Sequence, residues 1–297
     1  MTLAPIVLFV YNRLEHTKQT VAALQQNKLA KESELFIYSD APKNDKYSLH
    51  VKNIREYIRT IDGFKQITII EREKNLGLAD SIIDGVTKVV NEYGKIIVLE
   101  DDLITSPYFL KFMNEALEMY KNEEKIASIH GYIYPIEGLP ETFFIKGADC
   151  WGWATWKEKW AVFESDGQKL LNELNKRKLQ KEADFNHSYG YTKMLKDQIK
   201  GKNSSWAIRW HMSAFLKNML TLYSGKSYVQ NIGLDVQGTH CQTSTKVFDI
   251  ELNQSFFLTK IRIEEDLCSR KKIENYFWTI KSNLIQKIKS KILRLMK

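Results

Sequence analysis

Short apolar runs alternate with longer amphipathic stretches through the first hundred residues. Ile6 to Val10, Glu34 to Asp40, Gln66 to Ile70 and Lys95 to Leu99 carry runs too short for helices and rich in β-branched or aromatic residues, so each reads as a strand, the fourth a buried one. Between them, Thr17 onward carries Val21, Leu24 and Leu29. His50 to Thr60 is amphipathic, and Ile82, Ile83, Val86 and Val90 recur at helical spacing. Strands alternating with helices predict an α/β fold, a mostly parallel, doubly wound Rossmann-like sheet flanked by helices. Right-handed crossovers would bring the carboxyl ends of the four strands to one rim. Tyr11, Asp40, Asn75 and Asp102 are therefore expected as neighbours despite their separation in sequence.

Ser106-Pro107 opens a helix through Phe109, Phe112, Leu117 and Tyr120, since proline fits a first turn, and Ile126 to His130 reads as another strand. Gln168 to Lys202 is charged and helical, either a mobile flap or a peripheral layer. From Ile280 onward, apolar residues at helical spacing alternate with basic ones. That tail, entered through Tyr276-Phe277-Trp278, reads as a C-terminal amphipathic helix.

Composition narrows the picture. A chain of 297 residues with 43% hydrophobic and 12% aromatic content folds rather than staying disordered. No apolar run is long enough to cross a bilayer, and no leader pattern precedes Pro5, so no signal peptide is expected. Cys150, Cys241 and Cys268 lack metal-type spacing and are odd in number, which fits a reducing cytoplasm. The net charge of +8 is uneven, because six basic and no acidic residues fall between Lys281 and the end. The tail is expected on an anionic membrane surface, its rival reading being a helix packed on its own domain or on a partner chain. A nucleic-acid partner is not expected, as the positive charge is terminal and no aromatic platform interleaves with it.

The chemistry-bearing stretch is Glu100-Asp101-Asp102 at the end of the fourth strand, the edge where open α/β sheets bind ligands. Three carboxylates there meet a cation or hydrogen-bond donors, and their hard oxygens suit magnesium or manganese; the competing reading is a solvated acidic turn.

Val10-Tyr11-Asn12-Arg13, Ser39-Asp40, Asn75-Leu76-Gly77-Leu78 and Leu99-Glu100-Asp101-Asp102, in that order, resemble the nucleotide-sugar domain of GT-A glycosyltransferases, closest to family 2 and the N-acetylglucosaminyltransferase I group. The resemblance covers residues 4 to about 115, and less firmly 145 to 241. It implies that Tyr11 and Arg13 line a uridine site, that Asp40 accepts from the base, and that Asn75 and Gly77 position the next turn. Asp101 would contact ribose, and Asp102 would hold Mn2+ or Mg2+. With all five prolines before residue 141 and all seven tryptophans after 150, three regions are expected: a nucleotide-sugar half at 1–120, an acceptor half at 121–260 and a basic tail at 261–297.

In the second half, Trp151 and Trp153 read either as core or as rings that stack on a sugar, and Asp149 would lie near the reacting carbon. Ser205-Trp206-Ala207-Ile208-Arg209 resembles the segment that carries the family's catalytic acid, but Ala207 stands where that acid is often found. Trp206 and Arg209 are taken to the acceptor side. Asn231 to His240 resembles a closing loop in which His240 completes the metal shell and Asp235 is a second base candidate beside Asp149. The resemblance implies an inverting hexosyl- or N-acetylhexosaminyltransferase using a UDP-sugar. Its acceptor would be a glycan or lipid-linked glycan of surface polysaccharide assembly, reached from the cytoplasmic face of the membrane. Two rivals stand beside it. A nucleotidyltransferase needs a phosphate loop that Tyr11-Asn12-Arg13 lacks, and a non-catalytic glycan- or nucleotide-sugar-binding protein is kept open by Ala207.

Overall fold

In the computed structural model, which describes residues 2–234 and 246–295, the apolar runs form the central strands. Strand β1 is Ile6–Val10, β2 Glu34–Ser39, β3 Gln66–Glu71 and β4 Lys95–Glu100, with helices α1 (Leu14–Gln25), α2 (Ser48–Ile58) and α3 (Gly77–Tyr93) between them. Beyond β4 come β5 (Leu103–Thr105), α4 (Phe109–Met119), β6 (Ile126–His130), β7 (Thr142–Lys146) and β8 (Trp153–Trp156). Next are α5 (Lys157–Trp160), α6 (Gly167–Lys176), α7 (Gln180–Ala183), α8 (Tyr191–Ile199) and α9 (Trp206–Leu216), then β9 (Leu220–Ser224), β10 (Val229–Asn231) and α10 (Leu267–Leu295).

One eight-stranded sheet runs in the order β3-β2-β1-β4-β8-β6-β9-β7. Strands β1 to β4 are mutually parallel, as are β6 and β9, whereas β8 lies antiparallel between β4 and β6, and β7 antiparallel at the edge beside β9. The fold is thus α/β with a mainly parallel sheet flanked by helices. The reversed β8 is short and fully buried, which is why its tryptophans belong to the sheet.

Apolar cores cover both faces. Leu8, Leu35, Ile97, Leu99, Phe112 and Tyr228 lie on one, and Val7, Val98, Ile82, Trp153, Trp206 and Trp210 on the other. The charged stretch 168–202 is a peripheral helical layer sealed by its own cluster, with Leu170, Leu174 and Leu195 closing on Ile208 and Met212 of α9.

The tail begins differently from expectation. Helix α10 starts at Leu267 and buries Ile273 and Phe277 against the domain, with Phe277 edge-on to Tyr134 and Phe185. The Tyr276 hydroxyl donates to the Val247 carbonyl, so of the three aromatic residues read as a membrane entry only Trp278 stays exposed. No helix among the described residues is long and apolar enough to cross a membrane.

Candidate active site

The carboxyl ends of β1, β2 and β4 meet at one rim. Asp40, one residue past β2, is buried, and its carboxylate binds the turn that opens α3. Oδ1 accepts from the N–H groups of Ala41 (2.9 Å) and Leu76 (3.0 Å), and Oδ2 from Gly77 N–H (2.9 Å) and Asn75 Nδ2 (3.0 Å). Asp40 thereby supplies from across the sheet the acceptor that the start of α3 lacks locally. A carboxylate offers about four lone-pair sites, and these four donors fill them. The open base-reading acceptor expected at Asp40 is therefore, in this structure, the anchor of the Asn75–Gly77 turn. Gly77 sits at φ +74°, a left-handed conformation that a side chain would strain.

Beside this turn lies the acidic triplet. The Arg13 guanidinium hydrogen-bonds to the Asp101 carboxylate and reaches Asp102 Oδ2 at 2.8 Å, and the backbone of Tyr11 also bonds to Asp101. Those two carboxylates raise the Arg13 pKa above its ordinary value despite burial. Asp101 itself is held above the usual carboxylate range by burial and by its neighbour Asp102, with Arg13 opposing. Glu100, at the end of β4, is pushed up by burial and then by the charges of Asp102 and Asp101. Tyr11 accepts from Lys43 N–H at 3.1 Å and packs near Tyr47, an aromatic that the sequence did not single out.

A lid closes this rim. Strand β10 pairs with β5, and Ile232 N–H donates to the Asp102 carbonyl at 2.9 Å. This brings Gly233 so close that a β-carbon there would sit 2.0 Å from Asp102 Oδ2. Asp235 and His240, which follow, lie outside the described residues.

Asp149 stands on the loop between β7 and β8. Its Oδ1 accepts from Cys150 N–H (2.9 Å), and its Oδ2 faces the buried His130 Nε2 at 3.9 Å. The Cys150 thiol is raised by burial and then by Asp149, Glu100 and Asp102, so Asp149 and the acidic triplet both act on this one thiol. Trp151, half-buried, packs edge-on against Tyr132 and Phe248 beside this loop.

Three residues expected at the acceptor side are elsewhere. Trp153 and Trp206 are buried in an indole cluster with Trp160 and Trp210. Arg209 donates to the carbonyls of Ser165 (3.1 Å) and Ser205 (3.3 Å), and Ala207 packs in the same apolar core. Burial area and spacing, which the indoles satisfy equally as core or as sugar platform, could not separate these roles in the sequence.

Asp101 and Asp102 converging on one cationic group are a hard-oxygen pair of the kind a divalent ion uses together with substrate phosphates. Among the described residues no three His, Cys, Asp or Glu side chains converge to hold an ion without such help. The donor set therefore fits a metal that binds with a diphosphate.

A mainly parallel sheet with this acid-rich rim is the GT-A architecture. The model of glycosyl transferase family 2 matches residues 6–159, more than half of the chain, and the chain belongs to that family. Among solved structures, the chain is similar to residues 1–349 of TarS from S. aureus, with 12% identity, a TM-score of 0.41, and coverage of 76% of this chain and 59% of that one. It is also similar to the mannosyltransferase PcManGT from Pyrobaculum calidifontis, solved with GDP-Man and Mn2+ (10%, 0.29, 44% and 36%). A third is a putative nucleotide-diphospho-sugar transferase from Desulfovibrio desulfuricans (13%, 0.34, 56% and 69%). The chain thus spans less than two thirds of the first two. No curated protein sequence matches it.

Proposed function

We propose that the protein moves a hexosyl or N-acetylhexosaminyl group from a UDP-sugar to a hydroxyl of a glycan or lipid-linked glycan, with inversion and a divalent cation. The observation that carries this reading is the convergence of Arg13 on Asp101 and Asp102 at the rim that also carries the Asp40-held turn, with Asp149 and the triplet both acting on Cys150. Tyr11 and the Asn75–Gly77 turn bound the nucleoside end, and Arg13 is placed to trade its carboxylates for a diphosphate. Asp102 and Asp101 would hold Mn2+ or Mg2+, which neutralises charge on the leaving nucleoside diphosphate. Asp149 takes the proton from the acceptor hydroxyl, the oxygen bonds to the anomeric carbon, and the diphosphate leaves with the bonding pair from the opposite face. Trp151 beside Asp149 offers an apolar ring to the acceptor sugar. The basic distal part of α10 fits an anionic membrane surface bearing a lipid-linked acceptor in surface polysaccharide assembly.

Calorimetry with UDP, manganese, and both together tests the donor half. Manganese should bind tightly only with UDP present, and Asp102→Asn should abolish that dependence. UDP release from UDP-glucose, UDP-galactose and UDP-N-acetylglucosamine tests turnover. UDP binding without release on any of them, with or without a glycan pool, would favour a binding protein instead.

A further inference from the structure

His130 ends β6 with its side chain wholly buried, and neither ring nitrogen has a hydrogen-bond partner among the described residues. Its backbone is pinned on both sides, opposite Trp153 of β8 and Tyr223 of β9. The ring is boxed edge-on by Tyr223 at 5.0 Å and Tyr132 at 6.5 Å, so it cannot swing out to water. A neutral imidazole always carries one N–H, and burying that donor without a partner is unfavourable. Asp149 Oδ2 stands 3.9 Å from Nε2. Oδ1 of that carboxylate is fixed by Cys150 N–H, so a small rotation brings Oδ2 onto the ring.

We infer that His130 is the positioning residue of Asp149: its Nε2–H donates to Oδ2 and aims the carboxylate at the acceptor hydroxyl when the cleft is loaded. The inference rests on Asp149 as the base and adds what holds it. Hydrogen bonds of this kind are often long in the free protein and shorten with substrate bound. Burial lowers the His130 pKa, opposed by Asp149, which keeps the ring a neutral donor. The other titratable groups facing Asp149 are Tyr132, Tyr134, Tyr191, Tyr223, Cys150 and His211. Burial and the Asp149 charge hold those four phenols and the thiol protonated, and His211 is lowered by its own burial. His211 donates its Nδ1–H to the Ala148 carbonyl at 2.8 Å, so of the two histidines facing Asp149 it is His130 whose N–H lacks a partner. His130 takes no proton in the reaction; the acceptor proton goes to Asp149.

The test is the pH profile of UDP release from UDP-glucose, UDP-galactose and UDP-N-acetylglucosamine, with water or a glycan pool as acceptor. His130→Phe should lower kcat about 30-fold with donor KM within about threefold. A donor to a base's charged form favours that form, so losing it should move the acid limb of the profile up by about half a pH unit. His130→Gln, which keeps an N–H near the Nε2 position, should recover kcat to within about fivefold and restore the limb. An unmoved acid limb in His130→Phe, or His130→Gln no better than Phe, overturns the inference. Should His130→Phe fail to fold, nitrogen-15 spectra of histidine-labelled wild type decide, with an Nε2–H tautomer at pH 7 expected and an Nδ1–H tautomer overturning it. Asp149→Asn separates the two claims. Retained turnover there sinks the base itself, whereas lost turnover with a wild-type profile in His130→Phe sinks only the positioning role.

Discussion

Gly233→Ala places one carbon against the acidic rim and nothing else. A β-carbon at that position would lie 2.0 Å from Asp102 Oδ2, 2.7 Å from its Cγ and 2.8 Å from an Arg13 guanidinium nitrogen. The atoms that must give way are side-chain ends, so the backbone pairing of Ile232 with Asp102 and of Asn231 with Leu103 survives. The Asp102 carboxylate has to retreat by about 1 Å, a misplacement that costs on the order of a hundredfold in a preorganised site. A hundredfold is about 2.7 kcal/mol of transition-state stabilisation. The expected result is kcat/KM for UDP release down about a hundredfold and manganese-dependent UDP affinity down at least tenfold, with Tm within about 2 °C of wild type. Steady-state kinetics on the UDP-sugar panel, calorimetry with UDP and manganese, and a thermal melt measure the three quantities. Kinetics within about threefold of wild type on a folded variant would refute the claim that Gly233 sets the position of Asp102.

Arg13→Ala leaves Asp101 and Asp102 facing each other without their cation, so Tm should drop by several degrees in EDTA and recover in millimolar manganese more than wild type does; equal manganese shifts in both would refute it. Asp40→Ala removes the acceptor of four hydrogen bonds at once, which should cost about 3 kcal/mol in urea unfolding and at least tenfold in UDP affinity. Unchanged stability would show that the Asn75–Gly77 turn holds itself. Glu100 is raised from 4.5 to about 8, so between those values the folded chain holds a proton that the unfolded chain has released, and stability falls as pH rises through that window. Glu100→Gln should flatten the decline and raise Tm near pH 7.5 by about 3–6 °C, on the order of 1–2 kcal/mol; a slope identical to wild type would count against it.

Much of this was legible before any coordinates. Strands β1 and β4 announce themselves because a strand buried on both faces has to be apolar throughout, and the half-exposed edge strand β3 is marked instead by its β-branched run. The rim residues followed from topology alone, since right-handed crossovers leave parallel strands no other edge to share. What the sequence concealed depends on where side chains meet. Trp153 alternates in a strand that runs backwards between β4 and β6, and no local pattern announces a reversed strand inside a parallel sheet. Asp40 looked like an acid open to ligand because its partners, the amides of Leu76 and Gly77, arrive from more than thirty positions away. His130 was the last letter of an apolar run, and nothing in its neighbours marks a ring with two unpaired nitrogens.

The core leaves a few polar atoms unpaired, at Trp153, Trp210 and Tyr228, but none of them is charged. The rim and the loop of Asp149 gather three successive acids, a glycine pressed onto a carboxylate and an orphaned buried imidazole. Each costs stability in the free protein, through like-charge repulsion, a raised carboxylate pKa or an unmet donor. These costs fall on the rim and that loop, and a bound cation, a diphosphate and an acceptor hydroxyl would relieve them together. Ligand binding should therefore stabilise this protein by more than the contacts of the ligand alone supply. The melting temperature in UDP plus manganese should exceed the sum of the separate shifts.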